Sequence, residues 1–311
     1  MARRELGPAA LGVAQAVLAL LPDAAVVGCS GGADSLALAL GAQWAARRRG
    51  SAVTAVVVDH GLQDGSARVA ARTAGLLAGR GMTAEVVRVE VAASDGGLEA
   101  AARTARLAAL ASYGRPVLLG HTLDDQAETV LLGLLRGSGT RSLAGMAGTV
   151  SLGPDGASLI RPLLGLRRAA TEAACRDWGV EPWEDPMNAD PRFARVAVRQ
   201  QLAGLSAALG RDLAPALART AQLARADADL LDQLAGQALP VAAELAVDDL
   251  RGLPDALRWR VVHRWLGRLS PAAEFRHVLA VDALVTAWHG QGPVAVPGGQ
   301  VVRTGSHLTV R

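Results

Sequence analysis

A glycine-rich hexapeptide, Ser30 to Ser35, has the composition of a phosphate-binding loop. It lies between an apolar run at 24–29 and a helical run, which predicts a turn from a buried strand into a helix. Two glycines let the backbone approach an anion closely, and the first N–H groups of the helix point at it. The hydroxyls of Ser30 and Ser35 add neutral donors, and the Asp34 carboxylate can hold Mg²⁺. The hexapeptide therefore predicts a site for phosphate and a divalent cation.

The hexapeptide lacks the lysine that a Walker loop places against the β- and γ-phosphates. The chain contains no lysine at all, so its 32 basic residues are all arginines, which argues against a P-loop kinase or GTPase. A dinucleotide-binding loop would need a glycine where Asp34 or Ser35 stands. The hexapeptide instead resembles the Ser-Gly-Gly-x-Asp-Ser loop of the PP-loop ATP pyrophosphatases, which cleave ATP between the α- and β-phosphates. A glycine-rich turn without a ligand is the alternative.

A second segment, Gly120 to Thr129, places His121 beside three acidic residues at the expected start of a helix. The threonine after His121 and the acid three residues later have the spacing of a capping box, which alone explains one or two of the acids. Asp124, Asp125 and Glu128 lie three and four residues apart, on neighbouring parts of one helical face. Three carboxylates there predict a site for a cation, either a second Mg²⁺ or the ammonium group of a substrate.

Strand-like apolar runs alternate with amphipathic helices through the first half of the chain. Strands are expected at 24–28, 53–59, 84–91 and 116–120, and helices at 34–48, 66–80, 97–112 and 124–136. This alternation predicts an α/β fold with a doubly wound, mostly parallel sheet, whose ligands lie outside the carboxyl ends of the strands. Both segments described above follow such ends. So does the turn Asp59-His60-Gly61, which is weak evidence by itself.

The last third of the chain has a helical pattern and predicts a second, small, mostly helical domain. Helices are expected over 212–238, 254–269 and 272–289, and a hairpin around 297–299. Ser270 would cap the last helix, with Pro271 in its first turn. We expect an ATP-binding catalytic domain at 1–211, and a linker helix with a C-terminal domain at 212–311.

The composition fits a folded protein of one large or two smaller domains. The 311 residues are 50% hydrophobic and 20% charged, with a formal net charge of +3. Only nine residues are aromatic, so aromatic platforms for base stacking are not expected. Cys29 and Cys175 form no Cys-x-x-Cys pair, which argues against structural zinc and for a reducing compartment. We expect a cytoplasmic protein with no membrane partner.

Three blocks taken together, at 30–35, 58–62 and 120–129, resemble the tRNA(Ile)-lysidine synthases, a family within the PP-loop ATP pyrophosphatases. The resemblance is dense over the first 205 residues, and its further parts lie at 98–106, 135–139, 160–164 and 184–190, and at Arg195 and Arg199. The chain departs from the family at Leu107, where an aromatic residue is frequent, and in a reduced basic stretch after Phe193. Its C-terminal part is short, as in a compact form of the enzyme.

The resemblance implies a ligase that uses ATP and Mg²⁺ to adenylate O2 of the wobble cytidine in tRNA-Ile with a CAU anticodon. The ε-amine of free L-lysine would then displace AMP. The implied catalytic residues are Asp34, which is also the metal ligand, His121, Asp125 and Glu128. The implied ATP-binding residues are Ser30, Gly31, Gly32, Ala33, Asp34, Ser35, Asp59, His60 and Gly120, and the lysine-binding residues are Asp124, Asp125, Glu128 and Arg103. The general base for the lysine amine stays open between His121 and Asp125.

Arginines would supply the contacts to tRNA. Arg192, Arg195 and Arg199 recur at three- and four-residue spacing and form one basic stripe. Arg136 and Arg141 flank the glycine-rich loop Gly137-Ser138-Gly139, which would lie near the target nucleotide. Phosphate contacts of this kind make binding dependent on salt.

Arg103 and Arg106 lie three residues apart on one helical face. They would meet the AMP phosphate or the lysine carboxylate, and an exposed helix face is the alternative.

Two other functions remain open alongside the ligase. A PP-loop tRNA thiolase would want a reactive cysteine pair or cluster, which Cys29 and Cys175 do not make. A nucleotide- or tRNA-binding module without catalysis would tolerate the loss of Asp34 or Glu128 with little effect beyond binding. The oligomeric state, including a homodimer, is not determined by the sequence.

Overall fold

The structure is a computed structural model that describes residues 6–91, 97–137, 139–152, 157–190, 192–240 and 243–311. The chain forms two compact units, the first ending at Gln222 and the second beginning at Leu223. Each unit has its own hydrophobic core.

The first unit is built around one six-stranded sheet. Its strands are β1 (Ala24–Gly28), β2 (Ala52–Asp59), β3 (Thr83–Arg88), β4 (Val117–Leu118), β5 (Thr149–Ser151) and β6 (Ser158–Ile160). Their order is β3-β2-β1-β4-β6-β5, and every neighbouring pair is parallel except β5 and β6. The chain moves outward from β1 to β3 and then returns to β4 on the other side of β1. This reversal creates a switch point between β1 and β4, where open α/β sheets bind ligands.

The helices of the first unit connect these strands and cover the sheet. They are α1 (Pro8–Leu20), α2 (Ala33–Arg49), α3 (Ser66–Gly79), α4 (Gly97–Ala111), α5 (Leu123–Leu135), α6 (Thr140–Leu143), α7 (Arg168–Trp178) and α8 (Ala194–Ala208), with a short 3₁₀ helix at Pro186–Ala189. The four helices predicted in the first half of the chain are confirmed to within one residue at each end. The predicted mostly parallel sheet is confirmed as well.

Alternation along β1 shows how both faces of the sheet are covered. Ala25 and Val27 belong to the core on one face, together with buried residues of α1, α2 and α7. Val26 points to the other face and packs in a cluster with Leu110 of α4. Because the side chains of β1 are buried on both faces of the sheet, β1 is held firmly at its centre.

The second unit combines helices with a small antiparallel sheet. A long helix, α9 (Ala214–Ala238), contains the boundary between the units and is followed by β7 (Leu245–Ala246), α10 (Val247–Arg251), α11 (Asp255–Gly267), α12 (Phe275–Thr286), β8 (Val294–Val296), β9 (Gly299–Thr304) and β10 (His307–Val310). The sheet order is β7-β10-β9-β8. The predicted helices and the β8–β9 hairpin are present, and the hairpin is part of this larger sheet.

One predicted helix start in the second unit is wrong. Ser270 was expected to cap the last helix, but α12 begins at Phe275 with Glu274 as its N-cap. The Ser270 hydroxyl instead accepts a hydrogen bond from the Ala272 N–H at 3.2 Å and so closes a local turn. Serine and proline favour such a turn as readily as a helix start. Across the described residues, every helix is too short or too polar to traverse a lipid bilayer.

Candidate active site

The two predicted segments meet at the switch point of the sheet. The hexapeptide follows β1, and the segment from Gly120 follows β4, the neighbour of β1. A Cβ atom on Gly120 would lie 2.7 Å from the Asp34 carbonyl oxygen and 3.2 Å from the Ser35 backbone nitrogen. The two backbones are therefore in direct contact, and only glycine fits between them.

The hexapeptide forms a turn at the start of α2, with Ser30 exposed and Gly31 buried. Gly31 has φ of +89°, a conformation that other residues rarely adopt, and a Cβ there would lie 2.5 Å from the Thr73 hydroxyl. The Ser35 hydroxyl accepts from the Ser30 N–H at 3.1 Å and donates to the Gly32 carbonyl at 3.0 Å. Since the first N–H groups of a helix have no acceptors within it, this turn can hold an anion.

The end of β2 presents a second polar turn on the other side of β1. Asp59 is buried, and its carboxylate accepts a hydrogen bond from the Gly61 N–H at 3.0 Å. A hydrogen bond from Ser66 lowers the pKa of Asp59, so the carboxylate stays charged and orders its own turn. Burial lowers the pKa of His60, and the positive charge of Arg106 adds to this effect. Asp59 thus shapes the turn that presents His60.

The acidic segment begins α5 with the predicted capping box. The Asp125 carboxylate accepts hydrogen bonds from the Thr122 N–H at 2.7 Å and the Thr122 hydroxyl at 2.8 Å. Burial alone would raise the pKa of Asp125. The charge of Arg168 and the two bonds from Thr122 outweigh burial, so the pKa lies below its usual value. Capping therefore uses one oxygen of Asp125, and the other oxygen faces an arginine.

That arginine, Arg168 at the start of α7, joins both halves of the site. Its guanidinium lies 2.7 Å from Asp125, 3.3 Å from Asp34 and 3.4 Å from Glu128, and its backbone N–H donates to Asp124 at 2.7 Å. Burial would lower the pKa of Arg168, but the three carboxylates raise it. One side chain thus fixes the acid of the hexapeptide and two acids of α5 in a single arrangement. We call Asp34, Asp125, Glu128 and Arg168 the acidic cluster.

Asp34 is held from two sides within the acidic cluster. Besides Arg168, it accepts a short hydrogen bond from the Thr171 hydroxyl, one turn further along α7. Burial raises the pKa of Asp34, although both of these partners oppose the change. Within the described residues, no three histidine, cysteine or acidic side chains form a ready-made metal site. Asp34 nevertheless fits Mg²⁺, because this ion is typically bound by one or two carboxylates together with substrate phosphates and water.

Glu128 is the most deeply buried acid of the cluster, with 1% of its surface exposed. Arg199 of α8 donates to it through Nε at 2.6 Å and through Nη2 at 3.3 Å. Asp124 is paired with Arg167 at 2.9 Å. The α5 carboxylates therefore lie together as predicted, and in this structure arginine side chains neutralise them.

A group of like charges lies on the α4 side of the site. Burial lowers the pKa of Arg106, and the charges of Arg103 and Arg195 lower it further. The buried Nε atom of Arg106 has no hydrogen-bond partner. We call Arg103, Arg106 and Arg195 the cationic cluster. Repelling cations around an unpaired donor form an environment that an anion would stabilise.

His121 lies between the acidic and cationic clusters. Arg161, which follows β6 and is 6% exposed, donates from Nε to the His121 Nδ1 atom at 3.3 Å. Burial lowers the pKa of His121 to about 3, and three arginines reinforce this against the charge of Asp125. These arginines are Arg161, Arg103 and Arg106. The imidazole is therefore neutral at pH 7.

The arginines predicted to contact tRNA lie in different surroundings. Arg192 is 88% exposed and is paired with Asp190, whereas Arg195 faces Arg106 and Arg199 binds Glu128. The three arginines of the predicted basic stripe therefore differ in their partners, and their contacts with tRNA stay predictions. Arg136 caps the far end of α5, about 18 Å along the helix from Asp124 at 1.5 Å per residue, and Arg141 lies in α6. Ser138, in the loop between them, lies outside the described residues.

Sequence reasoning missed the residues that α7 contributes to the site. Arg167, Arg168 and Thr171 were assigned no role, and Arg161 appeared only as part of a matching block. The available signal was a pair of arginines, Arg167 and Arg168, at the start of a helix, where the dipole disfavours cations. Such a placement indicates that nearby carboxylates compensate the charge.

Comparisons with known proteins cover nearly the whole chain. A family model described as a PP-loop domain matches residues 13–205, and one described as a TilS substrate binding domain matches residues 245–309. A tRNA(Ile)-lysidine synthase of Cutibacterium acnes is 51% identical, over 97% of this chain and 96% of that protein. Another, from Leifsonia xyli, is 49% identical over 93% of this chain and 90% of that protein.

Among solved structures, the U34-tRNA thiolase NcsA of Methanococcus maripaludis, which holds a [4Fe-4S] cluster, has a TM-score of 0.53. It is 16% identical, and the match covers 69% of this chain and 78% of the thiolase. This likeness supports the fold of the first unit and nothing about its chemistry.

Proposed function

We propose residue roles and a reaction course for this chain from one premise: it belongs to the tRNA(Ile)-lysidine synthase family. Members of this family are ATP-using ligases that modify tRNA. The reaction joins L-lysine to C2 of the wobble cytidine of tRNA-Ile with a CAU anticodon. It passes through an adenylated cytidine and releases pyrophosphate and then AMP.

In the first half-reaction, cytidine O2 attacks the α-phosphorus of ATP and pyrophosphate leaves. We assign the phosphates to the turn from Ser30 to Ser35, where N–H groups and hydroxyls converge at the start of α2. Asp34 would hold Mg²⁺ together with these phosphates, and the ion would neutralise charge that develops on the leaving group. His60 and the turn held by Asp59 would face the nucleoside part of ATP from the neighbouring strand.

In the second half-reaction, the ε-amine of lysine attacks C2 of the cytidine and AMP leaves. We assign its amino group to the acidic cluster, supported by the charge balance there. Asp34, Asp125 and Glu128 face the guanidinium groups of Arg168 and Arg199, so acids outnumber bases by one. An ammonium group can take the place of a guanidinium at Glu128, and Arg199 is then free to turn toward an anionic group.

One observation carries this proposal: a single side chain, Arg168, binds the acid of the ATP-binding turn and two acids of the lysine-binding helix. Two sites used in separate reactions would not need a shared cation. Two half-reactions on one cytidine need adjoining sites, because the adenylate formed in the first must be attacked in the second without leaving.

We assign the two parts of the chain separate tasks, with catalysis in residues 1–211 and tRNA binding in 212–311. The match of a substrate-binding model to residues 245–309 supports the second task. Arg103 would contact a phosphate or carboxylate, and Arg136, Arg141, Arg192, Arg195 and Arg199 would contact tRNA. Of these, the exposed Arg192 is best placed for a salt-dependent phosphate contact.

A thiolase function is disfavoured by the cysteines. Clusters of the [4Fe-4S] type are held by several cysteine thiolates, and this chain has two cysteines in total. Both are buried and free, and burial raises the pKa of each thiol, that of Cys175 to about 11. Neither is a reactive thiolate at pH 7.

The direct test is incubation of the purified full chain with ATP, Mg²⁺, radiolabelled lysine and tRNA-Ile carrying a CAU anticodon. Label should enter the RNA, and AMP and pyrophosphate should form in equal amounts. The matched control is the same tRNA with uridine at the wobble position, which offers no cytidine and should stay unlabelled. A folded protein that leaves both RNAs unlabelled but transfers sulfur would refute the assignment.

A further inference from the structure

Charged side chains from three parts of the chain surround His121. Asp125 approaches it from α5, Arg103 and Arg106 from α4, and Arg161 from the segment after β6. Three of these four groups are cations, so the surroundings oppose a positive charge on the ring. His121 also follows Gly120, which touches the backbone of the ATP-binding turn. The backbone at His121 thus adjoins the ATP-binding turn, and the surroundings of the ring keep it neutral.

The contact with Arg161 also selects the tautomer of the ring. A guanidinium group has only N–H donors, so the His121 Nδ1 atom, at 3.3 Å from Arg161 Nε, must be the acceptor. A neutral imidazole carries one proton, which is therefore on Nε2. Arg161 is itself buried and fixed, because its Nη1 donates to the Ala147 carbonyl at 2.6 Å. The ring therefore has one donor, Nε2–H, and no free basic nitrogen.

Resting on the proposed function, we propose that Arg161 is a positioning residue that holds His121 in the Nε2–H form, so that His121 donates a hydrogen bond to an α-phosphoryl oxygen during adenylation. In that step a bond forms between cytidine O2 and the α-phosphorus, and the bond to pyrophosphate breaks. The bonding pair leaves with pyrophosphate, and the proton stays on Nε2. His121 stabilises developing charge and is not the general base for lysine.

Three replacements of His121 distinguish a role as hydrogen-bond donor from a role as general base. His121→Gln places an amide N–H near the Nε2 position, His121→Glu supplies a base without a donor, and His121→Ala supplies neither. Single-turnover release of pyrophosphate with tRNA should stay within about tenfold of wild type for the glutamine variant. It should fall about 10² to 10³ fold for the other two, as for a lost oxyanion donor. Greater activity of the glutamate variant than of the glutamine variant would overturn the proposal.

Replacement of Arg161 tests the positioning role directly. In ¹⁵N-histidine-labelled protein, assigned with His121→Gln, the wild-type ring should show only the neutral Nε2–H pattern between pH 8 and pH 6. Arg161→Met should yield both tautomers and a pKa closer to the ordinary value near 6.5. The exposed Arg192→Met is the matched control and should leave the ring signals unchanged. An Nδ1–H ring in the wild type, or an unchanged ring in Arg161→Met, would overturn the proposal.

The pH dependence of pyrophosphate release by Arg161→Met distinguishes a change of tautomer from a structural defect. At pH 8 the variant should release pyrophosphate several-fold more slowly than wild type, because part of the ring carries its proton on Nδ1. Activity should recover toward pH 6, because the imidazolium carries N–H on both nitrogens. Loss of activity toward pH 6 would identify a base instead. Wild-type protein that labels no tRNA would refute the proposed function, whereas the tautomer measurement stands independently of that result.

Discussion

Two arginines on helices of the first unit, Arg168 and Arg106, have opposite electrostatic surroundings. Three carboxylates raise the pKa of Arg168. Burial and two further arginines lower the pKa of Arg106, whose Nε atom has no partner. The carboxylates of the acidic cluster are therefore paired with a cation of the protein, whereas the cationic cluster places like charges around the unpaired Arg106 Nε atom, which an anion would stabilise. This difference indicates that the acidic cluster can exchange one cation for another and that the cationic cluster can bind an anion.

The largest effect is expected for Arg168→Met. Three carboxylates would lose their shared cation, so Asp34 and Asp125 would repel each other more strongly. We expect at least a hundredfold loss of lysine transfer, and a decrease of about 2 kcal/mol in the free energy of unfolding. This decrease in the free energy of unfolding is smaller than expected for breaking a fully buried ion pair, because Arg168 is 22% exposed. Denaturant unfolding and label transfer measure the two effects.

Arg251→Met is the matched control for that variant. Arg251 is 55% exposed and pairs with the exposed Asp248, so its loss should change stability by less than about 0.5 kcal/mol. Equal effects of the two variants would mean that the acidic cluster is no more important than a surface ion pair.

Glu128→Gln should separate use of lysine from use of ATP. The change keeps the shape of the side chain and removes the charge that would face the ammonium group. The KM for lysine should rise about tenfold to a hundredfold, which corresponds to a lost charge-assisted hydrogen bond. The KM for ATP should change less than threefold, and the exposed Glu172→Gln should change neither. A collapse of ATP affinity with unchanged use of lysine would remove Glu128 from the lysine site.

Arg106→Met should leave the protein as stable or make it more stable, in contrast to the destabilisation expected for Arg168→Met. Because the methionine removes a partly buried cation that other arginines repel, the free energy of unfolding should stay constant or rise by up to about 1 kcal/mol. Release of pyrophosphate should nevertheless slow by about tenfold, since the cluster would hold its anion less well. Destabilisation as large as that of Arg168→Met would contradict the distinction between the two clusters.

The smallest effect is expected for Arg192→Met. This exposed residue pairs with Asp190 and belongs to neither cluster. Loss of one phosphate contact should lower the slope of log affinity for tRNA against log salt concentration by about 1. Release of pyrophosphate at saturating tRNA should be unchanged. An unaltered salt slope would mean that Arg192 does not contact the nucleic acid.

The sequence predicted those parts of the site that lie within one continuous segment. The hexapeptide and the acidic start of α5 each combine a strand end with a helix start, and local spacing is sufficient to identify both. Arg168 was missed because its partners Asp34 and Asp125 lie 134 and 43 residues away. The contact of Arg199 with Glu128, 71 residues earlier, was not predicted either, and the predicted contact of Arg199 with tRNA stays a prediction. Charge type is visible in a sequence, but long-range pairing depends on the topology of the sheet.

Prediction of the fold from the sequence was limited to its longer elements. The predicted strands of the first half lie within longer apolar runs that alternate with clear helical patterns, whereas β5 and β6 contain three residues each and lie in no such run. Without β6 the position of Arg161 cannot be inferred, and neither can its contact with His121.

The close contact at Gly120 determines which parts of the first unit can move. Because a single methyl group would not fit between this residue and the start of α2, the two loops cannot slide past each other without separating. The ATP-binding turn and the start of α5 therefore keep a fixed separation, and the two proposed half-reactions would share this part of the backbone as a common frame.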